Sequence, residues 1–171
     1  MIRGSKCRLR AVEVGDIDIM YKWENDPAVW SVSGVVAPIS RYSFEQFVAE
    51  QQAGIFSTHQ LRLIIETNDG RAVGAVDLFE FDPVNMRAGV GVLVYEQADR
   101  RRGIATEALE LLCEYSREVL RLNQLWCGVA ADNRASLALF RRAGFVRMGR
   151  KRQWLRVADG WVDELSMQKI L

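Results

Sequence analysis

Apolar positions along the chain switch between two spacings, and the switch points divide it into elements. From Lys6 to Val12 apolar and polar residues alternate weakly, the spacing of a first strand. Ile17, Met20, Tyr21 and Trp23 then recur at helical spacing behind Asp16, which suits an N-cap, until Asn25-Asp26-Pro27 stops the pattern. A second helix is expected with Ser43 as its cap and Phe44, Phe47 and Val48 on one face, ending near Gly54. Gln60–Glu66 and Ala72–Phe81 read as a hairpin around Asn68-Asp69-Gly70, since an Asp-Gly step suits a tight turn. A further turn at Asp82–Asn85 leads into a strand over Arg87–Tyr95. Helical spacing returns over Gly103–Leu120, where Ile104, Ala108, Leu112, Tyr115 and Val119 form one stripe. The rest reads as a strand over Gln124–Ala130, a short helix over Ser136–Ala143 ended by Gly144, and strands Phe145–Arg150 and Trp161–Ile170 flanking Asp159-Gly160. The order β-α-α-β-β-β-α-β-α-β-β predicts an α/β fold with a mixed sheet flanked by helices.

Composition narrows what this pattern can be. With 171 residues, 49% of them apolar and 26% charged, the chain suits one domain with a real core, spanning 1–171. Its formal net charge of +1 supplies no global field for nucleic acid, so no nucleic-acid partner is expected. Cys7, Cys113 and Cys127 are too scattered, and His59 too isolated, to make a metal site, and unpaired thiols fit a reducing cytoplasm. No run approaches the roughly 18 apolar residues of a membrane span, and no apolar segment follows the basic start, so a soluble, untargeted chain is expected.

The candidate chemistry starts at Val94-Tyr-Glu-Gln-Ala-Asp-Arg-Arg-Arg-Gly-Ile-Ala105. A strand leads into it and a helix leads out, and the first turn of a helix offers unpaired N–H groups and a favourable dipole to a phosphate. Neither GxxxxGK[ST] nor GxGxxG is present, which disfavours the two common nucleotide-binding loops. Taken alone, Arg-x-x-Gly-x-Ala equally describes an ordinary strand-to-helix turn with solvated arginines.

A second segment adds to it. Asn133-Arg-Ala-Ser-Leu-Ala-Leu-Phe-Arg-Arg-Ala-Gly-Phe145 follows the next strand. With Arg100-Arg-Arg-Gly-Ile-Ala105, and with Trp23-Glu-Asn-Asp-Pro27 near the start, it resembles the GNAT family of N-acetyltransferases over nearly the whole chain. The resemblance implies a single N-acetyltransferase domain with a central, twisted, mostly antiparallel sheet. It implies acetyl-CoA as cosubstrate, no metal, and a pyrophosphate held by Arg101, Arg102, Gly103, Ile104, Ala105 and Thr106, chiefly through backbone N–H groups. It implies a pantetheine arm paired along Val92, Leu93 and Val94, with the Leu93 backbone polarising the thioester carbonyl. Asn133, Ser136 and Phe140 would line the cofactor from the following helix. Arg100, Arg101, Arg102, Arg134, Arg141 and Arg142 are candidates for the nucleotide phosphates, and each suits a solvated surface equally well.

Acetyl transfer needs a neutral amine, and an alkylamine with a pKa near ~10.4 must first lose a proton. Asp77 and Glu80 share one expected strand, where alternation places residues three apart on opposite faces unless a bulge intervenes. Glu80 is the expected base, because related polyamine acetyltransferases carry an acid at the matching place before an Arg-Ala pair, here Arg87-Ala88. Many family members place a tyrosine at position 140 to protonate the departing sulfur; Phe140 cannot do so. Tyr95 is a possible substitute, and a thiol pKa near ~8.5 makes the thiolate a tolerable leaving group. Cys127, in an apolar strand, reads as core rather than as an acetyl carrier, so direct transfer is expected.

The opening Ser5–Glu13, Trp23–Pro27 and the stretch from Asp77 to Arg87 are most similar to the diamine and polyamine (spermidine) branch. Glu24, Asp26, Asp77, Glu80, Asp82 and Glu96 could then meet a polycation. The alternatives are acetylation of protein N-termini, as in the ribosomal branch, and a non-catalytic CoA-binding regulator. A small-molecule amine is the expected partner, with no membrane, and the family resemblance implies a homo-oligomer, dimeric or larger.

Overall fold

Eight strands form one sheet in the computed structural model, which describes residues 2–33 and 37–171. They are β1 (Ile2–Arg3), β2 (Cys7–Ala11), β3 (Leu61–Thr67), β4 (Ala72–Asp82), β5 (Arg87–Val94), β6 (Gln124–Ala130), β7 (Val146–Val157) and β8 (Gly160–Ile170). Their spatial order is β1-β2-β3-β4-β5-β6-β8-β7, antiparallel throughout except for the parallel pair β5–β6. The helices are α1 (Ile17–Glu24), α2 (Pro27–Ser33), α3 (Arg41–Gln51), α4 (Ile55–Thr58), α5 (Ile104–Glu118) and α6 (Arg134–Arg142). The mixed, mostly antiparallel sheet expected from the sequence is therefore present.

Alternation decides which face each strand buries. Leu9, Leu63, Val76, Val90 and Leu125 point to the rear face, where Ile104, Ala108 and Leu112 of α5 and Leu137 and Phe140 of α6 complete the main core. Leu112 has no exposed surface, and trimming such a residue to alanine costs about 2–5 kcal/mol. On the front face Ile17 and Met20 of α1 meet Phe44 and Val48 of α3 in a second, smaller cluster. These helices are tied to β2 and β3 by Arg10–Asp16, Arg62–Glu24 and the Gln51 amide oxygen on Arg62 N. Among the described residues no ion pair of this kind ties a helix to the front of β5, β6 or β8.

Several elements differ from the sequence pattern, each for a local reason. Asn25-Asp26-Pro27 ends α1 but also starts α2, with the Asp26 carboxylate accepting from Ala28 N at 2.9 Å and Pro27 at the first helical position. Ser40 rather than Ser43 caps α3, its hydroxyl accepting from Ser43 N at 3.1 Å. Asp16 stands at the N-cap of α1 without capping it; its carboxylate instead accepts from Glu13 N at 2.8 Å and binds Arg10. Val119 lies beyond the last turn of α5 and is 62% exposed, so it is not on the buried stripe. The strand expected to end at Arg150 continues to Val157, because both faces of that part of β7 meet solvent and no alternation marks it.

Candidate active site

The parallel pair β5–β6 lasts only three residues. Arg87, Ala88 and Gly89 pair with Gln124, Leu125 and Trp126, after which β5 keeps only β4 as neighbour while β6 keeps β8. From Val90 to Val94 the strand therefore shows a bare edge to a gap in the middle of the sheet. Alternate backbone groups on such an edge need a partner, and an amide-rich chain lying in the gap supplies one. Val92 and Leu93 are half-buried on this edge and Val94 is buried. The gap is where the sequence expectation puts the pantetheine arm.

Past Val94 the chain turns sharply into α5. Arg100 folds back, donating from Nε to Val94 O at 3.0 Å and from Nη2 to Tyr95 O at 2.8 Å, so it clamps the end of β5. The Asp99 carboxylate, 2% exposed, binds Arg71 at 2.6 Å and Arg102 at 3.4 Å, which fixes the turn to the β3–β4 hairpin. Arg101 has φ 61° and an exposed side chain. Gly103 has φ 83°, a region that favours glycine, and it opens α5, whose first N–H groups have no intrahelical partner. Ile104 is buried, while Gly103, Ala105 and Thr106 are half-buried at this N-terminus.

Sequence reasoning passed over Lys6, which the fold brings to the same place. A Cβ built on Gly103 would lie 2.4 Å from the Lys6 ammonium, so the cation sits directly against the turn. The segment is held there by Glu107 of α5, whose carboxylate accepts from the N–H groups of Ser5, Lys6 and Cys7 at 2.7–2.8 Å. Burial alone would push the Glu107 carboxyl up, but the Ser5 hydroxyl and these backbone donors outweigh it and bring it down to about 2. An ammonium without an ion-pair partner among the described residues, beside a helix N-terminus, favours an anion there. No short-range sequence signal connects Lys6 with Gly103.

On α6, Asn133 is the N-cap and accepts from Ser136 N at 3.0 Å. Arg134, Arg141 and Arg142 are exposed on this helix. Phe140 is 3% exposed and packs edge-on against Phe145, with centroids 5.1 Å apart. Cys127 is buried and burial pushes its thiol up to about 12, which removes it as a nucleophile near neutral pH.

The open front face carries the acidic side chains, and the structure sorts them. Arg62 bridges Glu24 at 2.8 Å and Asp77 at 2.6 Å under the ring of Phe47. Asp82 binds Asn85 and Arg87, and Glu96 meets Lys22. Asp26 accepts from the Tyr95 hydroxyl at 2.6 Å, and this bond pushes the phenol up to about 12; the Tyr95 ring stacks on Trp23. The proton of Tyr95 is thus committed to a carboxylate. Glu80 alone of the six has no hydrogen-bond or ion-pair partner among the described residues.

Glu80 owes its position to a bulge. Phe79 pairs with Gly89 and Asp82 with Arg87, so Glu80 and Phe81 together oppose Ala88, and Glu80 takes φ 47°. The extra residue returns Phe81 to the rear core, where it packs on Phe56 and exchanges hydrogen bonds with His59. His59 is therefore a half-buried strut rather than a free surface group. Phe79 and Asp77 face front, and the exposed Glu80 lines a cleft at the root of the gap.

The chain has known relatives. A family model described as an acetyltransferase (GNAT) domain matches residues 6–146. Spermidine N(1)-acetyltransferase of Escherichia coli K12 is 26% identical over 147 residues, covering 81% of this chain and 72% of that one. A putative ribosomal N-acetyltransferase of Bacillus subtilis is 34% identical over 103 residues, 60% of this chain and 55% of that one. Among solved structures, spermidine N-acetyltransferase from Vibrio cholerae in complex with CoA and spermine superposes with a TM-score of 0.88 at 21% identity, covering 98% and 96% of the two chains. A dodecameric structure of that enzyme matches with a TM-score of 0.78 at 20% identity, covering 98% and 95%.

Proposed function

The chain belongs to the GNAT acetyltransferase family, and from that premise we propose that it passes the acetyl group of acetyl-CoA directly to a primary amine of a diamine or polyamine. The observation that carries the reading is the bare edge of β5 running into the α5 N-terminus. The N–H groups of Gly103, Ile104, Ala105 and Thr106, with Lys6 beside them, fit a pyrophosphate, and Arg101 and Arg102 border the same turn. The edge at Val92–Val94 fits an arm containing amides, with the Leu93 backbone able to polarise a carbonyl in the gap. Asn133 and Ser136 at the start of α6, and the exposed Arg134, Arg141 and Arg142, suit the nucleotide end. The cosubstrate supplies an activated thioester.

On the acceptor side water takes the proton of the incoming ammonium, while Glu80, in the bulge opposite Ala88 and so below the gap, supplies negative charge that draws a polycation to this face. Phe140 has no proton to give and Tyr95 holds its own on Asp26, so solvent protonates the departing sulfur. The buried Cys127 leaves direct transfer as the simpler course. The names of the relatives support a polyamine, since the Escherichia and Vibrio proteins are spermidine N-acetyltransferases. A homo-oligomer belongs to the same reading, supported by the dodecameric Vibrio enzyme. Acetylation of a protein N-terminus is the second reading, favoured by the identity to the putative ribosomal enzyme.

The test is thiol release from acetyl-CoA with a panel of polyamines, aminoglycosides and N-terminal peptides. Turnover is expected with diamines and polyamines. Activity confined to peptides would replace the first reading by the second.

A further inference from the structure

Trp126 took no part in the sequence expectations beyond its place in a strand, yet it lines a cleft on the front face. This cleft, of about 470 Å³, lies at the root of the β5–β6 gap, where Gly89 and Trp126 form the last strand pair before the gap opens. Its indole meets the Phe79 ring edge-to-face at 5.4 Å and 82°. Phe79 can lie there only because position 89 is glycine: a Cβ on Gly89 would stand 2.3 Å from the Phe79 ring. Met148 of β7, 56% exposed, forms the far wall. Gln124 and Gln168 are hydrogen-bonded to each other, so they bring amides but no charge.

The charged groups of the cleft are Glu80, Asp82 and Arg87. Asp82 and Arg87 pair at 3.1 Å, which leaves the Glu80 carboxylate as the net charge. Glu80 sits at φ 47°, in the left-handed region that a residue with a side chain seldom adopts, and it has no partner among the described residues. A cleft that a carboxylate without a partner among the described residues shares with an indole and a thioether matches an alkylammonium: the charge is drawn to the ring and the carboxylate, and the methylenes lie on apolar surface.

We infer that this cleft is a subsite for the aliphatic chain and second ammonium group of the acceptor, with Trp126 as the residue that selects a diamine over a monoamine. The inference rests on the proposed amine acetylation and adds to it where the unreacted end of the substrate goes. The reacting amine sits at the gap, one strand pair away, and the remainder of the molecule runs along Trp126 toward Met148.

The experiment compares α,ω-diamines with n-alkylamines of equal carbon number in the wild-type protein, Trp126→Leu and Trp126→Phe. In the wild type kcat/KM favours the diamine. Trp126→Leu is expected to lower that preference by about three- to thirtyfold, mainly through KM, while kcat for the monoamine stays within about twofold. Trp126→Phe keeps an aromatic ring and is expected to retain most of the preference. Equal losses for both acceptors, or an unchanged preference in Trp126→Leu, would overturn the inference. Binding is read separately from the indole N–H resonance of Trp126, assigned by its disappearance in Trp126→Phe. A diamine that shifts this resonance without being acetylated supports the subsite and defeats the proposed reaction. A diamine that is acetylated without shifting it supports the reaction and defeats the subsite.

Discussion

Phe140 shows how one residue can separate chemistry from packing. Its ring is sealed between Phe145 and the rear core, so position 140 contributes apolar surface and no proton. If solvent protonates the leaving thiolate, Phe140→Tyr is expected to change kcat by less than about tenfold, since general acid catalysis is worth about 10²–10⁴-fold only where no other donor serves. Steady-state rates with the best amine check this, and a rise of a hundredfold or more would mean that the wild type lacks an acid it needs. Residue identities of this sort are legible in a sequence; residue partners are not. The acidic residues near the acceptor face can be named from the sequence, but Glu24 and Asp77 share Arg62, Asp26 holds Tyr95, and of the six only Glu80 has no partner among the described residues. Those pairings join side chains from different strands and helices, and no local pattern announces them.

At the scale of elements, the strands and helices whose apolar period is strong were readable, and those lacking it were not. The rear-facing strands and α5 bury a regular stripe, whereas β7 runs through solvent and α2 begins at a proline that also ends α1. The bulge at Glu80 was legible only as a condition, because alternation could not say whether an extra residue intervenes. The glycine turn before α5 is legible in the sequence as a candidate phosphate site, but Lys6 is not, since the β1–β2 segment is remote from Gly103 in sequence and meets α5 only in the fold. Gly103→Val is a blunt probe of this turn: at φ 83° any side chain is strained, so lost binding would not isolate the phosphate. Lys6→Ala is sharper, because its backbone N–H to Glu107 is retained. It is expected to weaken acetyl-CoA binding by about three- to tenfold at low ionic strength and to flatten the salt dependence, as measured by calorimetry at two salt concentrations. Parallel salt dependences in the two proteins would remove Lys6 from the phosphate site.

For the molecule as a whole, the same N-terminal segment couples stability to the candidate site. Glu107 lies on α5 in the first turn after Gly103, and it ties Ser5, Lys6 and Cys7 to that helix through backbone and hydroxyl donors. Its folded-state carboxyl titrates at about 2 against an ordinary value of 4.5. A depressed carboxyl contributes stability that is present in full above its unfolded value and is lost as pH falls through the folded one. Thermal unfolding should therefore show a fall in stability between about pH 4.5 and about pH 2, with part of that fall belonging to Glu107. Glu107→Gln keeps one acceptor oxygen and turns the other into an NH2 that cannot accept from the N–H groups facing it, so it is expected to cost about 1–3 kcal/mol at pH 7. It should also shrink the acid-dependent loss, bringing the two proteins closer together as pH approaches 2, and denaturant titrations across the range measure both effects. Because the clip also seats Lys6 against Gly103, acetyl-CoA should protect Glu107→Gln less than the wild type at equal ligand concentration. Equal protection, with stability lowered as expected, would show that the clip holds the fold while the phosphate turn stands without it.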